Sequence, residues 1–555
     1  RTSMFETHHA SAHPRKTMAS LLTLLIALGP SVMPAFAAGK TQFRLQAKSA
    51  ATATPIQHLV VIFNENVSFD HYFGTYPNAT NPKGESKFVA AANTPSVNGL
   101  NSGLLNFNPN LNPANGAGAT NPFRLDRSQA FTNDQDHNYL NEQEAFDAGL
   151  MDLFPLNTGT AGPPPGGGGI VNTNGLVMGY YDGNTVTALW NYAQHFAMDD
   201  NSYGSTFGPS TPGVVNLMSG QTNGVINVVN GTGDEVAGGP DGSLTMIGDA
   251  DPTGDVCSSS TRAQGQMAGQ SIGDLLNAAG ITWGTFMGGF DLTITNPNGT
   301  TGCKRSTTSP ITGVTEVDYT AHHSLSSYWP SIANLQHTRP QSLSEIGNAG
   351  PANHEYDTND FYAAAQAGNL PAVSFLKAPS YQDAHAGYSD PLDEQTFVVN
   401  TVNMLEALPT WSSTAVIIVY DDSDGWYDHQ MSPIINQSTG PQDALTGPGA
   451  CGTAANSLPG YNTAMNPHAL GRCGYGPRLP FMVISPWAKK NFVDHTLTDQ
   501  SSVIRFIEDN WLGGQRIGGG SFDAIAGPIT NMFNFKKLRD NGTLILDPTT
   551  GEKQK

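Results

Sequence analysis

Continuous apolar runs of strand length are the feature that most limits how this chain folds. Ile56-Gln57-His58-Leu59-Val60-Val61-Ile62-Phe63 is the first, and residues 372–376, 415–420 and 481–484 share its character. Continuous rather than alternating apolarity marks strands covered on both faces. A fifth run, 281–287, follows a short helix pattern over 271–278 and a break at Gly280. Helical periodicity lies between the runs. Phe397, Thr401, Met404 and Leu408 share one face before Pro409, and Val503, Ile504, Ile507 and Trp511 do so before Gly513-Gly514. Residues 187–198 are a third helix candidate. Buried strands alternating with amphipathic helices predict an α/β fold with a large, mainly parallel sheet flanked by helices.

The rest of the 555 residues is read around that frame. Arg15 and Lys16 precede an apolar run over 21–33, and Ala35-Phe36-Ala37 has a small-x-small pattern, so residues 1–37 read as a signal peptide with an upstream extension. That run is short of the ~20 residues of a membrane span, and no other stretch approaches that length. Residues 38–54 lack periodicity and are expected to be a flexible mature N-terminus; 55–555 then form one domain. With 61 glycines and 37 prolines, the chain predicts long loops. The longest are 93–122, 159–169 and 436–478, and loops of this length commonly wall a site. A net charge of −20 argues against nucleic acid as a partner. Exported, oxidising surroundings favour disulfides among Cys257, Cys303, Cys451 and Cys473. Three pairings are open; the local one, 257–303 and 451–473, staples two loop regions. A tetrathiolate zinc site lacks any CxxC pair.

Chemistry belongs at the carboxyl ends of the strands. The first run ends in Asn64-Glu65-Asn66, and the run over 415–420 ends in Asp421-Asp422. Glu65, Asn66, Asp421 and Asp422 make a hard, oxygen-rich shell suited to calcium, magnesium or manganese. An EF-hand reading of the aspartates fails, because positions one and twelve fall on Tyr420 and Met431. Ser210, followed by Pro212 and an apolar stretch, sits at a helix start, either as nucleophile or as cap. Gly208-Pro209-Ser210-Thr211-Pro212 does not match a Gly-x-Ser-x-Gly elbow, so a lipase-type triad is unsupported. His137, His322, His323 and His385 lie near glycine- and proline-rich turns and offer the positive charge the chain otherwise lacks.

Taken in order, the segments Glu65 to Gly74, Gly208 to Pro212 and Tyr420 to His429 resemble the bacterial phosphoesterase family of secreted acid phosphatases and non-specific phospholipases C. Asp318 to His323, His385 with Gly387-Tyr388-Ser389-Asp390, and Ser485 to Lys490 extend the likeness over roughly 55–550. The resemblance implies an alkaline-phosphatase-like α/β fold in a single phosphoesterase domain. It implies one divalent metal ion held by Glu65, Asn66, Asp421, Asp422 and Ser210, with iron or zinc added to the candidate ions. Ser210 is then the nucleophile, and His137, His323 and His385, with His322 beside them, contact phosphate or leaving group. Val67 stands where the family often has arginine, a tolerable departure. Serine at 210, where phospholipase C members commonly carry threonine, leans toward an exported acid phosphatase acting on phosphomonoesters through a phosphoserine. Its expected acid optimum comes from histidines protonating below roughly pH 6.5. The alternatives are a phospholipase C taking phospholipid head groups and a non-catalytic, metal-stabilised secreted binding protein. The sequence specifies no oligomeric state.

Overall fold

The computed structural model describes residues 51–164, 168–231, 233, 235–238, 242–443, 451–462, 469–539 and 542–554. Residues 1–37, expected to be a signal peptide, and residues 38–50 lie outside the described residues. Residues 53 and 54 are tied down: the Ala53 amide donates to the Asn510 carbonyl at 2.9 Å, and the Thr54 amide to Asn510 Oδ1 at 2.9 Å.

Eight strands form the main sheet: β1 His58–Asn64, β2 Ala197–Asp199, β3 Trp283–Met287, β4 Glu355–Asp357, β5 Val373–Lys377, β6 Thr414–Tyr420, β7 Phe481–Ile484 and β8 Phe492–Asp494. Their spatial order is β4-β3-β5-β1-β6-β7-β2-β8. Every pairing is parallel except those of β7 with β6 and with β2, so β7 alone runs against the other seven. All five strands read from apolar runs are present. In β3, β5, β6 and β7 every residue is buried, as strands covered on both faces require. The sheet is therefore large and mainly parallel, as the alternating pattern predicted.

Seven helices of eight residues or more are found among the described residues: α1 Tyr139–Phe146, α2 Thr187–His195, α3 Ser210–Ser219, α4 Ile272–Ala279, α5 Thr358–Gln366, α6 Pro391–Glu406 and α7 Ser501–Trp511. The helix expected over 187–198 stops at His195. Ala197–Asp199 instead enters the sheet between β7 and β8, because pairing on both edges outweighs the local helical pattern. No helix among the described residues is long and apolar enough to cross a membrane. Both local disulfides, Cys257–Cys303 and Cys451–Cys473, are formed, and no cysteine is free.

Candidate active site

Register brings the two acidic clusters together. Asn64 pairs with Tyr420 and Ile62 with both Leu376 and Ile418, so β5, β1 and β6 end side by side. Glu65-Asn66 and Asp421-Asp422 are the next residues out, at one rim, and all four are buried. Asn66 takes a left-handed φ of 60°, a conformation asparagine tolerates better than most residues. Its amide donates to Asp421 Oδ1 at 3.0 Å and its Nδ2 to Asp424 Oδ1 at 3.0 Å. Its Oδ1 is buried and accepts no hydrogen bond.

Ser210 arrives from the other side of this rim. Gly208 has φ +112°, and a Cβ there would lie 2.9 Å from the Ile247 carbonyl oxygen, so only glycine fits the approach to α3. Pro209 caps the helix and Ser210 is its first residue, leaving the hydroxyl free of capping duty. Ser210 Oγ lies 2.8 Å from Glu65 Oε2 and 3.3 Å from Asp422 Oδ2. Its proton serves one of them at a time. Gly213, one turn on, lets α3 press on the other cluster: a Cβ would sit 2.4 Å from the Asp421 carbonyl oxygen. The Thr211 amide donates to Asp249 Oδ1 at 3.0 Å.

The four histidines gather around a cleft of about 640 Å³ that His137, His322 and His385 line with Asp249, Arg262 and Tyr388. The His385 ring lies 6.2 Å from those of both His137 and His323, and the rings of His322 and His323 are 4.5 Å apart. His323 Nδ1 is 3.4 Å from Glu65 Oε1 and 3.6 Å from Asp383 Oδ2. His137, His323 and His385 do not titrate as a set. Burial, with His322 adding to it, pushes His323 down to about 3, and burial also lowers His385. Burial opposes charge on His137 as well, but Asp422, Asp134, Asp424 and Asp249 override it and hold that ring well above the usual histidine value.

Several residues the sequence reading passed over complete the site. The ammonium of Lys377, last residue of β5, contacts Glu65 Oε1 and stands 3.3 Å from Asp421 Oδ2. Glu142 of α1 accepts from the Gly208 amide at 3.0 Å and from Ser423 Oγ at 2.7 Å, joining the serine loop to the aspartate loop. The Phe207 amide donates to the Cys473 carbonyl at 3.1 Å, so the second disulfide loop braces the approach to Ser210. Conversely, much of the two long motifs is scaffold. Arg478 bonds Asp70 at 3.0 Å and Asp428 at 3.1 Å, and His71 stacks 3.9 Å from Trp426. An apolar run ending in lysine was the available signal for Lys377. Glu142 carried none.

The residues present fit a divalent cation. Glu65, Asp383, Asp421, Asp422 and Asp424 are all buried. Burial, with Asp421 adding to it, pushes the Asp422 carboxyl well above the usual range, and burial pushes Asp383 up to about 7. Hard oxygens crowded this way repel one another unless a cation sits among them. The unpartnered Asn66 Oδ1 adds one more oxygen donor. Ligand atoms of Glu65, His323 and Asp383 lie within 4.8 Å of one another, as do those of Asp134, His137 and His385.

The α/β sheet with buried carboxylates, an amide, a serine and histidines at one rim defines a class of hydrolase-like scaffold, and comparison with known proteins gives the family. The Phosphoesterase family model matches residues 56–512, and the chain belongs to that family. It is 25% identical to a non-hemolytic phospholipase C of Pseudomonas aeruginosa over 86% of this chain and 57% of the relative. It is 25% identical to a non-hemolytic phospholipase C of Burkholderia pseudomallei over 88% and 60%, and 24% identical to phospholipase C A of Mycobacterium tuberculosis over 87% and 78%. The chain thus spans less than two thirds of the first two relatives. Among solved structures, murine ectonucleotide pyrophosphatase/phosphodiesterase 5 is similar with a TM-score of 0.30 and 12% identity, covering 63% of this chain and 95% of that one.

Proposed function

We propose that this chain is a phosphoric ester hydrolase of the phospholipase C type, with Ser210 as nucleophile. The observation that carries the reading is the buried Ser210 hydroxyl, held 2.8 Å from Glu65 Oε2 among four acidic and amide side chains at the strand ends. Phospholipases C matching 86% or more of this chain support diester cleavage over the acid phosphatase reading. Phosphomonoester hydrolysis is the second reading, favoured by serine rather than threonine at position 210.

Glu65, Asn66, Asp421, Asp422 and Ser210 would hold one divalent ion, and such an ion, when bound, stabilises a serine alkoxide and neutralises phosphoryl oxygens. Ser210 Oγ attacks phosphorus as the bond to the diacylglycerol oxygen breaks, giving a phosphoserine that carries the head group. Glu65 Oε2, already the hydrogen-bond partner of Ser210, is placed to receive its proton. His137, the ring its carboxylates hold charged, protonates the departing oxygen, with His322, His323 and His385 beside it to contact the phosphate. Water then releases the phosphorylated head group. The two disulfides support an exported protein.

The test is direct. Purified protein should cleave phosphatidylcholine faster than p-nitrophenyl phosphate, and acid quench with head-group-labelled lipid should leave label on the peptide containing Ser210. Ser210→Ala should lose several orders of magnitude in turnover while keeping its fold. Label on a histidine, or an alanine variant of near wild-type rate, rejects the serine mechanism.

A further inference from the structure

Lys377 is fully buried, with its ammonium 4.6 Å from the Phe63 ring centroid and two carboxylates against it. It divides the work of both. Glu65 turns Oε1 to Lys377 and Oε2 to Ser210. Asp421 turns Oδ2 to Lys377, while Oδ1 accepts from the amides of Asn66 at 3.0 Å and Asp422 at 2.8 Å. No other lysine or arginine among the described residues forms an ion pair with Glu65, Asp421 or Asp422. With those three ionised, one divalent ion leaves a unit of negative charge buried, and a buried unpaired charge is strongly unfavourable. The lysine ammonium supplies the missing unit.

We propose that Lys377 is a positioning residue that acts as a built-in second cation of the centre. It bridges Glu65 and Asp421, keeps these carboxylates assembled before metal arrives, and offsets the negative charge that a single divalent ion leaves on Glu65, Asp421 and Asp422. This rests on the reading of Glu65, Asn66, Asp421 and Asp422 as the metal shell. Two consequences follow from electrostatics. Without Lys377 the metal-free protein keeps Glu65 and Asp421 side by side with no ammonium between them. The loaded centre then favours an ion of higher charge, because the attraction lost to the ammonium's repulsion is larger for a trivalent ion than for a divalent one.

Lys377→Met keeps the unbranched aliphatic stem, one atom shorter, and removes the charge. Thermal unfolding of chelated protein and titrations with Mn²⁺ and Tb³⁺, read by calorimetry and terbium luminescence, test the proposal without reference to activity. Chelated wild type should unfold cooperatively, and the methionine variant should melt several degrees lower. The ratio of Tb³⁺ to Mn²⁺ affinity should rise at least ~10-fold in the variant. Wild type that binds neither ion overturns the metal-shell reading and the inference with it. Wild type that binds both, beside a variant with unchanged midpoint and unchanged ratio, overturns the role of Lys377 alone. Should the variant not fold, chelated wild type decides: a retained near-ultraviolet circular dichroism spectrum supports the built-in cation, and its loss refutes it.

Discussion

Gly213→Ala tests how closely α3 must approach the aspartate loop. The new Cβ would stand 2.4 Å from the Asp421 carbonyl oxygen and 2.8 Å from both the carbonyl carbon and Cα, all backbone atoms that no rotamer change can move. Ordinary contact begins near 3.4 Å, so α3 and the β6 terminus must part by about 1 Å. Alanine in a helix is favoured over glycine by about 1 kcal/mol, against about 1–3 kcal/mol for overpacking. The net loss of stability is then about 0–2 kcal/mol. Activity should suffer more, since Ser210 begins the same helix and a ~1 Å misplacement of a reacting group costs about 100-fold. The measurements are the urea midpoint and kcat/KM with p-nitrophenylphosphorylcholine. A folded alanine variant keeping more than a third of wild-type kcat/KM would show that the approach at Gly213 does not set the position of Ser210.

Glu142→Leu removes both acceptors that tie the Gly208 amide to Ser423 and should lower turnover more than 10-fold; Glu142→Gln, which keeps an amide oxygen, should lose less, and equal losses would refute the tie. His71 is buried, and burial pushes its ring down to about 3. A folded value below the unfolded ~6.5 means that its contribution to stability is complete above that pH and is lost as pH falls toward 3, about 2 kcal/mol between pH 7.5 and 5. Urea unfolding at the two pH values should show that increment in wild type and not in His71→Phe; identical differences would contradict it. Replacing Cys451 and Cys473 by serine opens a loop with a sequence separation of 22 residues and should lower stability by about 3 kcal/mol. Turnover should fall as well, because the Phe207 amide loses its fixed partner, and unchanged turnover would show that the loop does not brace Ser210.

The sequence showed the central strands because strands buried on both faces need no partner to be recognised: β1, β6 and β7 carry apolar runs, and in β5 only Ser374 interrupts one before Lys377. It did not show β4, whose Glu355-Tyr356-Asp357 is apolar at only one of three positions and is strand by virtue of its pairing with β3. Nor did it show β2, where helical spacing continued past the real end of α2. Of the candidate site, the clustering of Glu65, Asn66, Asp421 and Asp422 at strand ends was legible because strand ends in such sheets are where binding residues gather. Their register could not be read, since it depends on strand order. Glu142 and Lys377 escaped for a different reason. Each works through contacts with residues 44 to 312 positions away in the chain, a distance at which local pattern carries no information.

The reversed strand β7 has a bearing on how this scaffold can change. Because β6 and β7 are antiparallel neighbours, the chain that leaves β6 at Tyr420 re-enters the sheet from the same rim. A parallel neighbour would have forced a crossover to the far edge. The described residues between 421 and 480, from the acidic pair to the second disulfide, therefore leave from and return to the working rim. Insertions or deletions beyond the acidic pair leave strand order and direction untouched, so the loop that braces the approach to Ser210 can be rebuilt while the strand ends that hold Glu65 and Asp421 stay where they are.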